Sequence, residues 1–296
     1  MLKRTLFISN PYRLSLKNKQ LQLSERGGMT VASAPVEDLG FVVLDHPQIS
    51  FSMKLVEELN ENNVVTLFCD SKHMPSSMLL PLDAHHIQGE LFRAQVAATE
   101  PLKKNLWKQT IEAKIANQAR LLQKLGKNAT QLKTLARQVK SGDTDNREGF
   151  AARLYWMALL GKNFVRDRYG EPPNPFLNYG YILLRSAVAR ALAGSGLLAT
   201  LGIHHRNRYN AFCLADDIME PYRPYVDELV YNLNEKFPAC FMIEKEHKAE
   251  LLQLMTTDVK IGDNKRPLMV ALSQTTASLS RCFSGEQRKI LYPVFE

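Results

Sequence analysis

VVTLFCDSKHMPSSMLLPLDAHHIQGELFRAQVAATEPLKKNLWKQTIEAKIANQARLL, residues 64–122, carries the change of character that decides the fold. Its first six residues are apolar and partly β-branched, the pattern of a short buried strand. After Pro81 the composition shifts. From Ile87 onward Gly and Pro thin out, while Ala, Leu, Gln and Lys dominate. Leu102, Leu106, Ile111, Ile115 and Leu122 then recur at roughly helical spacing.

Working outward toward the N-terminus, the chain reads as β. Leu14, Leu16, Leu21 and Leu23 alternate with polar residues around Lys17-Asn18-Lys19, a hairpin pattern with its turn at Asn18. Gly27-Gly28 interrupts the chain, residues 29–34 and 40–44 read as further strands, and residues 53–59 as a short helix. Toward the C-terminus the expectation is helical throughout. Residues 128–140 form a helix with Leu132, Leu135 and Val139 as its apolar stripe, and Asp145 or Asn146 caps the next, which carries Glu148 in its first turn. A loop at 170–175 precedes a long apolar helix over 177–193. Residues 204–210 form a loop before a helix through 226–233, and further helices fall at 246–254 and 267–282. The last dozen residues read as a loose tail. The predicted class is α+β: a small β-rich N-terminal domain over residues 1–83, then a larger all-α domain over residues 84–296.

The 296 residues are 45% hydrophobic and 23% charged, as in an ordinary globular chain with room for a core. No apolar run approaches the roughly 20 residues that span a bilayer. The start, MLKRTLFISNPYRL, is broken by Asn10-Pro11 and reads as no signal peptide, so the expected location is the cytoplasm. Cys69, Cys213, Cys240 and Cys282 are widely spaced and form no C-x-x-C pair, which leaves zinc sites and haem attachment without support. A phosphate-binding P-loop, a G-x-S-x-G elbow and an H-E-x-x-H pair are all missing, and Gly194-Ser195-Gly196 follows a helical run where a dinucleotide fingerprint requires a strand.

The net charge is +8 and the pI about 9.2. Residues 101–140 hold ten Lys or Arg against one acid, Glu112. A solvated helix face interleaves both signs, so this lopsided stretch suits a phosphate backbone, although a merely soluble surface is the plainer alternative. GIHHRNRYNAFCLADDIMEPYRP, residues 202–224, packs two histidines, three carboxylates and three arginines together. Imidazole and carboxylate suit Mn²⁺ or Mg²⁺-class ions. Asp217 and Glu220 share a face if helical, yet Asp217-x-x-Glu220 is equally a capping box, and spacing leaves both open. Glu148 is accounted for by the helix dipole alone.

Four blocks in order carry a resemblance: EGFAARLYW from Glu148, PPNPFLNYGYILLRSAVARAL from Pro172, GLLATLGIHH from Gly196, and LADDIMEPYRP from Leu214. Together they resemble the CRISPR-associated integrases of spacer acquisition, the Cas-one family, and most of all members from type II systems. The resemblance implies a divalent metal, Mn²⁺ or Mg²⁺, held by Glu148, His205 and Glu220, with Asp217 just behind them. Many relatives carry Asp where Glu220 stands, and Asn174 replaces an Asp of the proline loop. The implied reaction is transesterification: a 3′-hydroxyl of a short DNA fragment attacks a phosphodiester at the edge of a repeat and inserts the fragment as a new spacer. Implied partners are double-stranded DNA, a second copy of the chain joined through the β domain, and a small ferredoxin-like adaptation subunit. Lys103, Lys104, Lys108, Arg120, Arg137, Arg206 and Arg223 are the candidate DNA contacts. The main alternative is a catalytically silent DNA-binding scaffold of the same complex. A nucleotide phosphohydrolase built on paired histidines ranks last, because no His-Asp doublet is present.

Overall fold

Asn18 and Lys19 both adopt positive φ (51° and 58°), the two-residue turn whose twist matches a β-hairpin. They join β2 (Arg13–Lys17) to β3 (Gln20–Ser24), with Lys17 opposite Gln20, as the alternating leucines predict. The computed structural model describes residues 3–238 and 240–296, and the chain divides into two units, Met1–Leu82 and Asp83–Glu296.

The first unit holds β1 (Arg4–Ile8), β2, β3, β4 (Thr30–Pro35), β5 (Leu39–Leu44), β6 (Ser50–Phe51), α1 (Met53–Glu61), β7 (Val65–Cys69) and β8 (Pro75–Met78). They form two four-stranded sheets, ordered β1-β5-β7-β8 and β4-β3-β2-β6. β5 pairs in parallel with both β1 and β7, and all six of its residues are buried. A central parallel strand is covered on both faces, which is why LGFVVL reads as a continuous apolar run instead of an alternation. Leu14, Leu21, Leu39, Val42, Leu55 and Leu59 close the core, each worth roughly 1.5–3 kcal/mol of burial. Ser52 caps α1 by accepting the Leu55 N–H.

The second unit is mostly helical: α2 (Gln88–Val96), α3 (Glu100–Lys124), α4 (Thr130–Arg137), α5 (Arg147–Leu160), α6 (Asn174–Gly194), α7 (Cys213–Met219), α8 (Arg223–Lys236), α9 (Lys245–Leu252) and α10 (Leu268–Phe283). α6 is the central pillar and packs on α7, α8, α9 and α10, while α3 packs on α4, α5 and α8. Gly180 permits the α6–α8 approach, since a Cβ there would lie 2.5 Å from Val226 Cγ1. No helix among the described residues is long and apolar enough to cross a membrane.

Two expectations need correction. The second unit is not all-α: β9 (Asp258–Ile261), β10 (Asn264–Pro267) and β11 (Pro293–Val294) form a small antiparallel sheet, turned at Gly262 with φ +57°. The final residues are not a loose tail either. Tyr292 and Phe295 are buried, the Tyr292 hydroxyl lies 2.8 Å from Thr110 Oγ1, and Asn117 on α3 binds both Pro293 O and the Phe295 N–H. β9 and β10 make a local hairpin of strands too short to show a clear period, β11 joins them from a remote stretch, and aromatic residues such as Tyr292 and Phe295 bury themselves where a complementary groove exists.

Candidate active site

The site begins at the N-terminus of α5. Asn146 takes a left-handed conformation (φ 50°, ψ 48°) and accepts the Gly149 N–H at 3.1 Å. A Cβ at Gly149 would meet Asn146 Oδ1 at 2.7 Å, so a side chain there would push the capping amide aside. Asp143 accepts the N–H groups of Arg147 and Glu148 (2.9 and 3.0 Å), satisfying two more of the open donors of the first turn. These caps set the position from which the Glu148 side chain extends.

That carboxylate meets a cation. Lys114 Nζ, on α3, lies 2.6 Å from Glu148 Oε1 and 2.6 Å from Glu220 Oε2. Glu220 sits in the tight turn Glu220–Tyr222 between α7 and α8, and its other oxygen accepts from Arg223 Nη2 at 2.9 Å. Burial would push the Glu220 carboxyl up; Arg223 and Lys114 outweigh that and hold it below the usual value. Lys114 stays above its ordinary value although burial opposes this, because both glutamates face it.

Asp217 is fully buried inside α7, so it is no helix N-cap, and the capping-box alternative fails. Its carboxylate gathers the N–H groups of Ile203, His204 and His205 at 2.7, 3.0 and 3.3 Å, and meets His205 Nδ1 at 2.5 Å. The bond to Asp217 raises the His205 pKa against partial burial, and the charges of Glu220 and Glu148 add to it. His204 is different: its ring stacks flat on Trp107 at 4.1 Å, and desolvation lowers its pKa. The structure thus separates adjacent histidines that spacing alone could not tell apart.

Among the described residues no three His, Cys, Asp or Glu groups stand together as a metal cluster. Two carboxylates aim at one shared cationic point, and His205 lies within their electrostatic reach. Glu220 Oε2 is buried without a hydrogen-bond partner beyond that ion pair. Two carboxylates that share one cation position, with an imidazole beside them, are donor types that fit a hard divalent ion.

Residues 6–239 match the family described as CRISPR associated protein Cas1. The chain belongs to the Cas1 family. A CRISPR-associated endonuclease Cas1 from Neisseria meningitidis serogroup C (strain 8013) is 34% identical over 290 residues, covering 97% of this chain and 94% of that protein. The resemblance to the family is borne out. Two solved structures share the fold: a casposase bound to integration product (TM-score 0.78, 18% identity, 97% of this chain and 92% of that one) and a Cas6-RT-Cas1–Cas2 complex (TM-score 0.70, 18% identity, 97% and 36%).

In this Cas1-family chain the candidate DNA contacts fall into two groups. Lys104, Arg120 and Arg137 are exposed and have no ion pair among the described residues. The others are engaged: Lys108 lies 3.6 Å from Glu112, Lys103 and Arg206 both face Glu100, and Arg223 binds Glu220 while covering the Tyr181 ring. Lys104 packs beside Gly142. Arg206, Lys103 and His205 line a cleft of about 480 Å³. Lys114 belongs to the basic stretch 101–140, yet it is buried between Glu148 and Glu220. A signal was available: Trp107, Ile111, Lys114, Gln118 and Leu121 repeat at the spacing of one buried stripe, and a lysine in such a stripe needs a buried acid.

Proposed function

We propose that this chain is a divalent-metal-dependent DNA endonuclease and integrase that inserts short fragments as new spacers into a CRISPR array. The supporting observation is the convergence of Glu148 and Glu220, distant in sequence, on one cation beside a histidine locked by a buried aspartate. Glu148, Glu220 and His205 would hold Mn²⁺ or Mg²⁺, which when bound would supply Lewis-acid polarisation of a phosphate and charge stabilisation on a leaving 3′-oxygen. Asp217 accepts the Nδ1 proton of His205, leaving Nε2 as the free nitrogen and fixing the ring as metal-ligating histidines require. Arg223 stays on Glu220 and keeps that carboxylate ionised. Duplex DNA would follow the basic residues through backbone contacts that read no sequence. The β-rich unit would join two copies, and a small ferredoxin-like subunit of the Cas2 kind would complete the complex.

The test is an integration assay with that subunit, a fragment bearing 3′-hydroxyl ends and a repeat-bearing plasmid. Glu148→Ala, His205→Ala and Glu220→Ala each abolish strand transfer while circular dichroism stays unchanged; a fully active Glu148→Ala protein refutes the site. One observation favours the scaffold alternative, namely that Lys114 already neutralises both glutamates. Mn²⁺ titration separates the two, since a scaffold binds none.

A further inference from the structure

Lys114 is buried, with 9% of its side chain exposed, and stands in the buried stripe of α3 between Ile111 and Gln118. A lysine there gains nothing over an apolar residue as packing, and a buried ion pair is no general source of stability. What it does is local. Glu148 and Glu220 present like charges to a single point, and Arg223 reaches only the far oxygen of Glu220. Without the ammonium, Glu148 and Glu220 would face each other with Arg223 as their one paired cation, on the far side of Glu220. The ammonium makes its contacts with the same two oxygens, Glu148 Oε1 and Glu220 Oε2, that face the shared point. A unit charge on a flexible four-carbon stem can leave that point without disturbing the backbone of α3.

We propose that Lys114 is a resident counter-ion that occupies the cation position between Glu148 and Glu220, and that divalent metal displaces it on binding. This rests on the assignment of the two glutamates as metal ligands. Loading of the site is then a competition between the ammonium and the ion. In the unloaded protein Lys114 keeps the carboxylates together; in the loaded protein it is set free beside the cluster. A purely structural ion pair would behave otherwise, since Lys114 would stay in place whatever metal was added.

The test uses the full chain and the metal alone. Lysines are footprinted by reductive methylation and mass spectrometry in chelator and in Mn²⁺, with exposed Lys162 as the internal reference. Lys114 is expected to be protected in chelator and labelled in Mn²⁺, while Lys162 labels equally in both. Calorimetric titration of Lys114→Met is expected to show Mn²⁺ binding tighter by roughly tenfold than wild type, and its melting temperature in chelator is expected to fall. If Lys114→Met fails to fold, Lys114→Arg, which keeps the charge, and the wild-type footprint decide. Wild type that binds Mn²⁺ with Lys114 still protected, or Lys114→Met that binds no more tightly, overturns the competition and leaves the metal site standing. Wild type that binds no Mn²⁺ at millimolar concentration overturns the metal site itself, and the competition with it.

Discussion

Asp217 shows how much one side chain can organise. Three backbone N–H groups and the His205 ring converge on its two oxygens, and Gly202 leaves room for the loop, since a Cβ there would crowd Asp217 Oδ2 at 2.7 Å. Replacing it with Ala strands these donors in a buried place. Asp217→Ala is expected to cost about 3–5 kcal/mol in urea unfolding, the range for breaking a buried charged network, and to lower strand transfer even where the protein stays folded. Asp227 makes a different statement. Burial pushes its carboxyl up to about 6, although the Tyr155 and Tyr181 hydroxyls both donate to it. The folded carboxyl keeps its proton to about pH 6, whereas the unfolded one releases it near the ordinary value of 3.8. Between those values the folded state holds the extra proton, so this group's contribution to stability falls as pH rises. The loss is about 3 kcal/mol for a shift of roughly two units. Asp227→Asn should flatten that slope; an unchanged difference between the two proteins from pH 4 to pH 6, followed by denaturant unfolding, would contradict the assignment.

At the level of elements, α3 is the hub. One helix face supplies Trp107 beneath His204, Lys114 between the glutamates, and Asn117 in the tail clasp. The Asn117 amide donates to Pro221 O at 2.8 Å and Pro293 O at 3.0 Å, while its oxygen accepts the Phe295 N–H at 3.1 Å. It therefore ties the chain's last strand to the turn that carries Glu220. Asn117→Ala removes all three bonds and leaves buried backbone groups unpaired, at roughly 2–4 kcal/mol. Amide exchange at Val294 and Phe295 should accelerate before global unfolding does, and uniform exchange across the second unit would show that the clasp is not a separate fastening.

For the whole molecule, charge is the relevant quantity. A net charge of +8 favours association with a polyanion, but the density of the basic stretch overstates what is free. Lys114 is internal, Lys124 pairs with Glu228, Lys127 with the Leu159 carbonyl, and Lys140 with Asp145. Lys104, Arg120, Lys133 and Arg137 remain exposed, without an ion pair among the described residues. Neutralising these four with Gln should weaken duplex binding equally for unrelated sequences. Each residue that touches phosphate should also reduce the salt slope by about one. Fluorescence anisotropy over a salt series measures this, and an unchanged slope would place the duplex elsewhere on the surface.

Sequence alone determined the division into a β-rich and a mainly helical part, because both periods are local and each strand or helix shows its own face. It also determined the family, through four ordered blocks that hold Glu148, His205 and Glu220. Tertiary structure decided the rest. That Lys114 serves the acids and not a phosphate depends on α3 lying beside α5 and the Glu220 turn, and no local pattern states which distant carboxylate a lysine will meet. The tail clasp depends on tertiary structure for the same reason: β11 and the Asn117 contacts join remote stretches, and their stability exists only once those stretches have been brought together, whereas β9 and β10 pair locally across Gly262.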